Sequence, residues 1–169
     1  MAMLALTFVV VSGLPGAGKT TLARPLAAAL DVPLLAKDTV KEALFDGLGT
    51  GDRAWSQRLG AASMEIVFAL AAEAPRAVLE SFWRRPQALE RLRGLGHPLL
   101  EVHCACPAEV ATARYHGRVR HPGHDGVGDD EIAGWAAEAG PLGLGPVLEV
   151  DTTGPVDGDA VAGWVRERW

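Results

Sequence analysis

Gly13-Leu14-Pro15-Gly16-Ala17-Gly18-Lys19-Thr20 fills every fixed position of the pattern G-x-x-x-x-G-K-[ST], a spacing suited to gripping the phosphates of a nucleotide. Gly13, Gly16 and Gly18 permit backbone angles closed to other residues. Successive N–H groups, with Pro15 and Ala17 between them, can therefore wrap an anion at the start of a helix. Lys19 is expected to reach the β- and γ-phosphates as a point charge, and Thr20 to ligate Mg²⁺ through its hydroxyl, with Thr21 beside it on the nucleotide side. The competing reading is a plain glycine turn between strand and helix. The flanks decide against it, because the β-branched run Leu4 to Val11 reads as a buried strand and Thr21 to Leu30 as a helix.

Two carboxylates complete the chemistry. Asp38 ends the second predicted strand, where it can take or orient the proton of an attacking hydroxyl; its alternative role is to cap the helix that follows. Glu80 ends the third strand, where an acid can hold Mg²⁺ directly or through water, or contact an acceptor; a surface glutamate is the alternative. Phe82 and Trp83 can wall an acceptor pocket, and Arg84 or Arg85 can meet its anionic groups. Transfer of a phosphoryl group concentrates charge on its equatorial oxygens, and mobile arginines stabilise that charge. Arg114, Arg118 and Arg120 are the candidates, with Arg118 and Arg120 expected on the transferred phosphate. His121, His124 and Asp125 have a spacing that suggests a metal, but no further soft ligand stands nearby. The run Asp151-Thr152-Thr153-Gly154-Pro155 follows the last strand, where backbone at Thr153 and Gly154 can meet a nucleobase. N-K-x-D, the guanine-reading sequence, is absent, so ATP is the expected nucleotide.

The elements that must position these groups alternate along the chain. Strands are expected at Val32–Lys37, Arg76–Ser81, His97–Cys104 and Pro146–Asp151. Helices are expected from Asp38 or Thr39 to Gly47 with Val40, Ala43 and Leu44 buried, and over Arg53–Ala74 with Leu59, Ala62, Ile66, Val67, Leu70 and Ala71 buried. Further helices are expected at Pro86–Gly94, Ala108–Tyr115, Asp129–Ala139 and Asp157–Arg168, and the glycine-rich segment 116–128 reads as a mobile lid. Alternating strands and helices imply a three-layer α/β fold on a parallel sheet. By analogy with phosphate-loop folds, the first and third strands are neighbours.

Composition sets the outer limits. At 169 residues, 49% hydrophobic and 22% charged, the chain suits one globular domain over residues 1–169. Its longest apolar run is too short to span a bilayer and lacks the basic lead of a signal peptide, so a cytoplasmic protein without a membrane partner is expected. A net charge of −5 and no basic run disfavour nucleic acid as a partner. Cys104 and Cys106, alternate residues on one strand, read as reduced thiols.

The loop G-L-P-G-A-G-K-T-T, D-T-V-K-E-A-L from Asp38, the acid-ended V-L-E-S-F, C-P-A-E-V-A-T-A-R-Y-H-G-R and the D-T-T-G-P loop together resemble the small phosphate-loop kinases. These are the AAA_33-like relatives of chloramphenicol phosphotransferase, zeta toxin and the kinase domain of polynucleotide kinase. The resemblance covers nearly the whole chain. It implies a P-loop fold with a five-stranded sheet in the order 2-3-1-4-5 and a lid. It also implies ATP- and Mg²⁺-dependent transfer of the γ-phosphoryl to a hydroxyl of a small molecule, an antibiotic or other natural product among the candidates. Asp38 matches the family's catalytic aspartate, and Arg118 and Arg120 its lid arginines. Glu80 stands where relatives often carry Asp. A zeta-toxin-like sugar-nucleotide kinase, a polynucleotide end kinase and a nucleotide-dependent switch are the alternative readings.

Overall fold

A computed structural model describes residues 7–124, 126, 128–137 and 139–169. The expected strand residues Leu4 to Leu6, the Asp125 of the histidine loop and the cap expected from the side chain of Asp129 lie outside the described residues. In chain order the elements are β1 (Thr7–Ser12), α1 (Lys19–Leu30), β2 (Leu34–Ala36), α2 (Lys37–Leu48), α3 (Arg53–Glu73) and β3 (Arg76–Glu80). Then follow α4 (Gln87–Gly94), β4 (Leu99–Ala105), α5 (Ala108–Gly117), α6 (Asp129–Ala137), β5 (Val147–Asp151) and α7 (Gly158–Arg166).

The five strands are all parallel and run in the order β2-β3-β1-β4-β5, the P-loop arrangement expected. Period-two alternation divides the core between the two faces of the sheet. Val9, Val11, Val78 and Val102 pack on one side against Leu22 and Leu26 of α1 and Val161 and Val165 of α7. Phe8, Val10, Ala77 and Leu79 pack on the other against Phe68 and Ala71 of α3 and Leu92 of α4. Helix α1 continues through Pro25. Among the described residues no helix is long and apolar enough to cross a membrane.

Register fixes where chemistry can occur. Glu80 pairs with Val11 of β1 and Ala36 of β2, so the carboxyl ends of three strands, the glycine loop and the start of α2 share one edge. That edge is where open α/β sheets bind ligands. Near the other side of the sheet lies a buried acid with a holding role. Glu101 of β4 is 1% exposed and accepts from Ser12 Oγ at 2.6 Å, from the amide of Leu142 at 2.7 Å and from the amide of Gly143 at 2.9 Å. Such a carboxylate is tolerable in a core because its lone pairs are met, and it staples the segment before β5 onto the sheet.

Helix α2 differs from expectation in face and start. Lys41 and Phe45 are its buried residues and Ala43 is exposed, because α2 packs against α3 and the 121–124 loop while its opposite side meets solvent. In α3, Ser56, Ser63 and Phe68 are buried, whereas Ile66 and Leu70 are exposed. Hydropathy alone cannot anticipate that buried serines bond within the helix or to a neighbour, as Ser63 Oγ does to Leu59 O at 2.5 Å.

Candidate active site

The glycine loop closes by a turn in which Ala17 N donates to Leu14 O at 3.0 Å. Gly16 adopts φ +85°, and a Cβ built there stands 2.0 Å from the Ala111 carbonyl oxygen of α5. Two constraints coincide at this residue, a left-handed backbone and a main-chain contact on the far side. Gly16→Ala is therefore expected to cost at least about 2 kcal/mol, combining left-handed strain with overpacking. In a thermal melt this appears as a loss of roughly 4–8 °C; an unchanged melting temperature would refute the contact.

The N-cap of α1 is Gly18, which has no side chain to offer the first-turn amides. Lys19 is buried, and its Nζ donates to Leu14 O at 2.8 Å, folded over the loop. Burial pulls its pKa down, opposed by the nearby Glu80, Cys104 and Asp38. Thr20 Oγ1 donates to Glu80 Oε2 at 3.1 Å, so the two expected metal-side oxygens are already neighbours. Glu80 is 5% exposed; burial raises its pKa against the pull of Lys19. Asp38 lies in the first turn of α2, and the N-cap position falls to Ala36, two residues earlier, rather than to Asp38. It accepts from Lys37 Nζ at 3.1 Å. Burial pushes its pKa up, but the charge and hydrogen bond of Lys37, helped by His124 and Lys19, hold it below the usual carboxylate range.

These groups border one cleft of about 700 Å³, within the range of small-molecule sites. Pro15, Gly16, Gly18, Lys19, Thr20 and Thr21 line its floor; Asp38, Glu80, Arg84, Arg118 and Arg120 line its walls. Arg118 and Arg120 both lie over the ring of Tyr115, at 5.5 and 4.4 Å, and Arg120 also donates to the Tyr115 hydroxyl. The charge of Arg118 acts on both Lys19 and Glu80.

Other candidates fall elsewhere. Trp83 does not wall the cleft: it is 5% exposed, donates from Nε1 to Val11 O at 2.9 Å and packs near Phe68. An indole at that position serves the core because its one donor finds a strand carbonyl there. Phe82 and Trp135 take the wall instead, their rings 4.9 Å apart with Arg84 over both. Gly13 and Ala17 belong to the loop but do not line the cleft. Arg114 ties α5 to the loop after β5, donating to Thr152 O and Thr153 O at 2.7 Å each, and Gly154 follows next to that clamp.

Within the segment expected as a mobile lid, residues 121–124 are packed down. His121 and His124 bond through Nε2 to Asp46 and Glu42 of α2, each at 3.0 Å, and both rings flank Phe45. Gly123 sits so close to Phe45 that an added Cβ would stand 2.5 Å from its ring. The two histidines thus dock a loop, and they point at separate carboxylates rather than at one ion. Burial lowers the pKa of His124, outweighing its bond to Glu42. The unfolded chain accordingly binds a proton near pH 6.5 that the folded chain still refuses, so acidification through that value costs stability. The melting temperature of the native protein should fall relative to that of His124→Gln between pH 7.5 and 5.5; a constant difference would contradict this.

Sequence reasoning missed Lys37, Lys41, Arg53, Gln57, Met64 and Trp135, all on the cleft. For Lys37, Lys41, Arg53 and Gln57 the available signal was helical spacing of polar residues along α2 and α3; Met64 is apolar and Trp135 lies on α6, so that signal did not reach them.

The AAA_33 family model, described as an AAA domain, matches residues 8–142. Among solved structures the chain is similar to a proposed kinase from Chloroflexus aurantiacus j-10-fl at 35% identity. That match covers 96% of this chain and 98% of the other, with a TM-score of 0.87. A gluconokinase from Sinorhizobium meliloti 1021 shares 17% identity over 96% and 97% of the two chains, with a TM-score of 0.63. A shikimate kinase from Acinetobacter baumannii shares 14% over 98% and 93%, with a TM-score of 0.57. These last two share the fold. No curated protein matches the chain significantly.

Proposed function

The chain belongs to the AAA_33 family, and from that premise we propose that it is an ATP- and Mg²⁺-dependent kinase acting on a hydroxyl of a small molecule. The observation that carries this reading is the single cleft in which Lys19, Thr20, Asp38 and Glu80 meet beside a space of acceptor size. The 35% identical structure described as a proposed kinase supports it.

The residues present fit both groups. A Thr hydroxyl and a carboxylate oxygen in contact offer the oxygen donors that Mg²⁺ takes. Lys19 and the uncapped first turn of α1 suit a polyphosphate. When bound, Mg-ATP supplies the phosphoryl group to be transferred.

The chain's own residues do the rest. Asp38, ionised at neutral pH, accepts the proton of the acceptor hydroxyl as that oxygen attacks. Lys37 holds the carboxylate in place through its 3.1 Å bond. Lys19 keeps its charge beside the phosphates, and Arg118 with Arg120 turns from Tyr115 toward the transferred group. Glu80 holds Thr20 in its metal-side position. Arg114, Thr153 and Gly154 border the nucleobase side. A cytoplasmic setting belongs to the same proposal, as does a natural product, antibiotics included, as acceptor.

The test is incubation with labelled ATP and a panel of hydroxylated metabolites and antibiotics, with products identified by mass spectrometry. A Mg²⁺-dependent phosphorylated small product is expected. Nucleotide-dependent association with a protein and no such product would overturn the reading in favour of a switch.

A further inference from the structure

Resting on the kinase reading, we propose that the acceptor is an anionic alcohol, and that the ammonium groups of Lys37 and Lys41 hold its carboxylate or phosphate across Gly60.

The charge of the cleft opposes that of the chain. Net charge is −5, yet the described cleft lining carries eight Lys and Arg side chains against three carboxylates, Asp38, Glu80 and Glu131. Lys19, Arg118 and Arg120 stand on the phosphate side. The other five, Lys37, Lys41, Arg53, Arg84 and Arg91, line the acceptor side. Arg91 is engaged by Glu65 at 2.6 and 3.0 Å, and Arg53 by Glu131 at 3.5 Å. Lys37 is paired with Asp38 at 3.1 Å, and Arg84 lies over the rings of Phe82 and Trp135.

Two of them converge. Lys37 and Lys41 are one turn apart on α2, and like charges at that spacing repel. Even so, a Cβ built on Gly60 of α3 would lie 4.0 Å from Lys37 Nζ and 3.8 Å from Lys41 Nζ. Lys41 is 8% exposed and fixed in direction, its Nζ donating to Ser56 Oγ at 2.9 Å and lying 5.2 Å from the Phe45 ring centroid. Ser56 in turn donates to Gly123 O at 3.2 Å, so the docked histidine loop helps to aim the lysine. A glycine inside a helix costs about 1 kcal/mol relative to alanine. At position 60 its lack of a side chain keeps open the space that both ammoniums face.

The location gives the arrangement a purpose. Lys37 reaches both this space and Asp38, so an oxyanion seated between the lysines brings a neighbouring hydroxyl to the base. A carboxylate or phosphate on the acceptor is bound by the shared chemistry of its oxygens.

The test uses matched acceptors that differ in one group: glucose, glucuronate and glucose 6-phosphate, together with every acceptor found in the panel and its amide or dephosphorylated analogue. The anionic member should exceed its neutral analogue at least 100-fold in kcat/KM, and the two acidic arms separate carboxylate from phosphate. Gly60→Ala meets its neighbours at ordinary contact distance and should fold at least as stably. It and Lys41→Met should each cut the preference at least tenfold through acceptor KM, with the KM for ATP unchanged. A neutral acceptor preferred by the native enzyme, or an undiminished preference in both variants, overturns the proposal. If no acceptor is phosphorylated, the kinase reading fails separately. Titration of inorganic phosphate into protein saturated with Mg-ADP then decides, since binding must weaken at least tenfold in both variants; equal binding in all three proteins overturns the site.

Discussion

Lys19→Ala should lower kcat/KM by at least about 10³-fold, measured as Mg²⁺-dependent ADP release, because it removes a charge positioned before the reaction in a water-poor site. The side chain is buried and bonded over the loop, so its ammonium needs little rearrangement to meet a phosphate. Burial lowers its pKa, and an arriving polyanion favours the charged form. Nucleotide affinity should fall as well, seen by calorimetry with Mg-ADP. Turnover within tenfold of the native enzyme would show that the loop does not grip the transferred group.

Asp38→Asn is expected to separate chemistry from binding. Asparagine keeps the size of the side chain and an oxygen that can accept from Lys37, but it cannot take a proton. The kcat should fall about 10²- to 10⁴-fold, the usual contribution of a positioned base, while affinity for Mg-ADP changes little. Normal turnover in this variant would remove Asp38 from the mechanism. The pH profile gives a second check. Because Asp38 is held below the ordinary carboxylate range, its base form persists through mild acid, and an acidic limb near neutrality would have to come from another group. Glu80 is shifted the other way, upward by burial, so it loses its charge before Asp38 does as the pH falls.

Much of the architecture was legible because it rests on local signals. The run ending at Val11, the fixed glycines and the helix after them define a strand, a loop and a helix without tertiary information, whereas the place of β3 beside β1 came from analogy with phosphate-loop folds. Placement of Trp83 was not legible, since an aromatic after a strand can face either side and only the carbonyl of Val11 decides. Lys41 was hidden for a related reason. A buried lysine defies hydropathy, and its partner Ser56 lies on another helix. Glu101 escaped notice inside an apolar strand, because the amides that satisfy it come from residues 142 and 143. The lid segment looked loose from its glycines, yet Phe45 packs against one of them.

The abutment of Gly16 on the Ala111 carbonyl joins the nucleotide-binding loop to helix α5, which Arg118 caps. Those parts must be inherited as one block, since a change in either spoils the fit of both. The α2–α3 pair that carries Lys37, Lys41 and Gly60 is free of that constraint and can diversify. A lineage could therefore exchange one acceptor for another by editing two helices, leaving the energy-donating machinery as it stands.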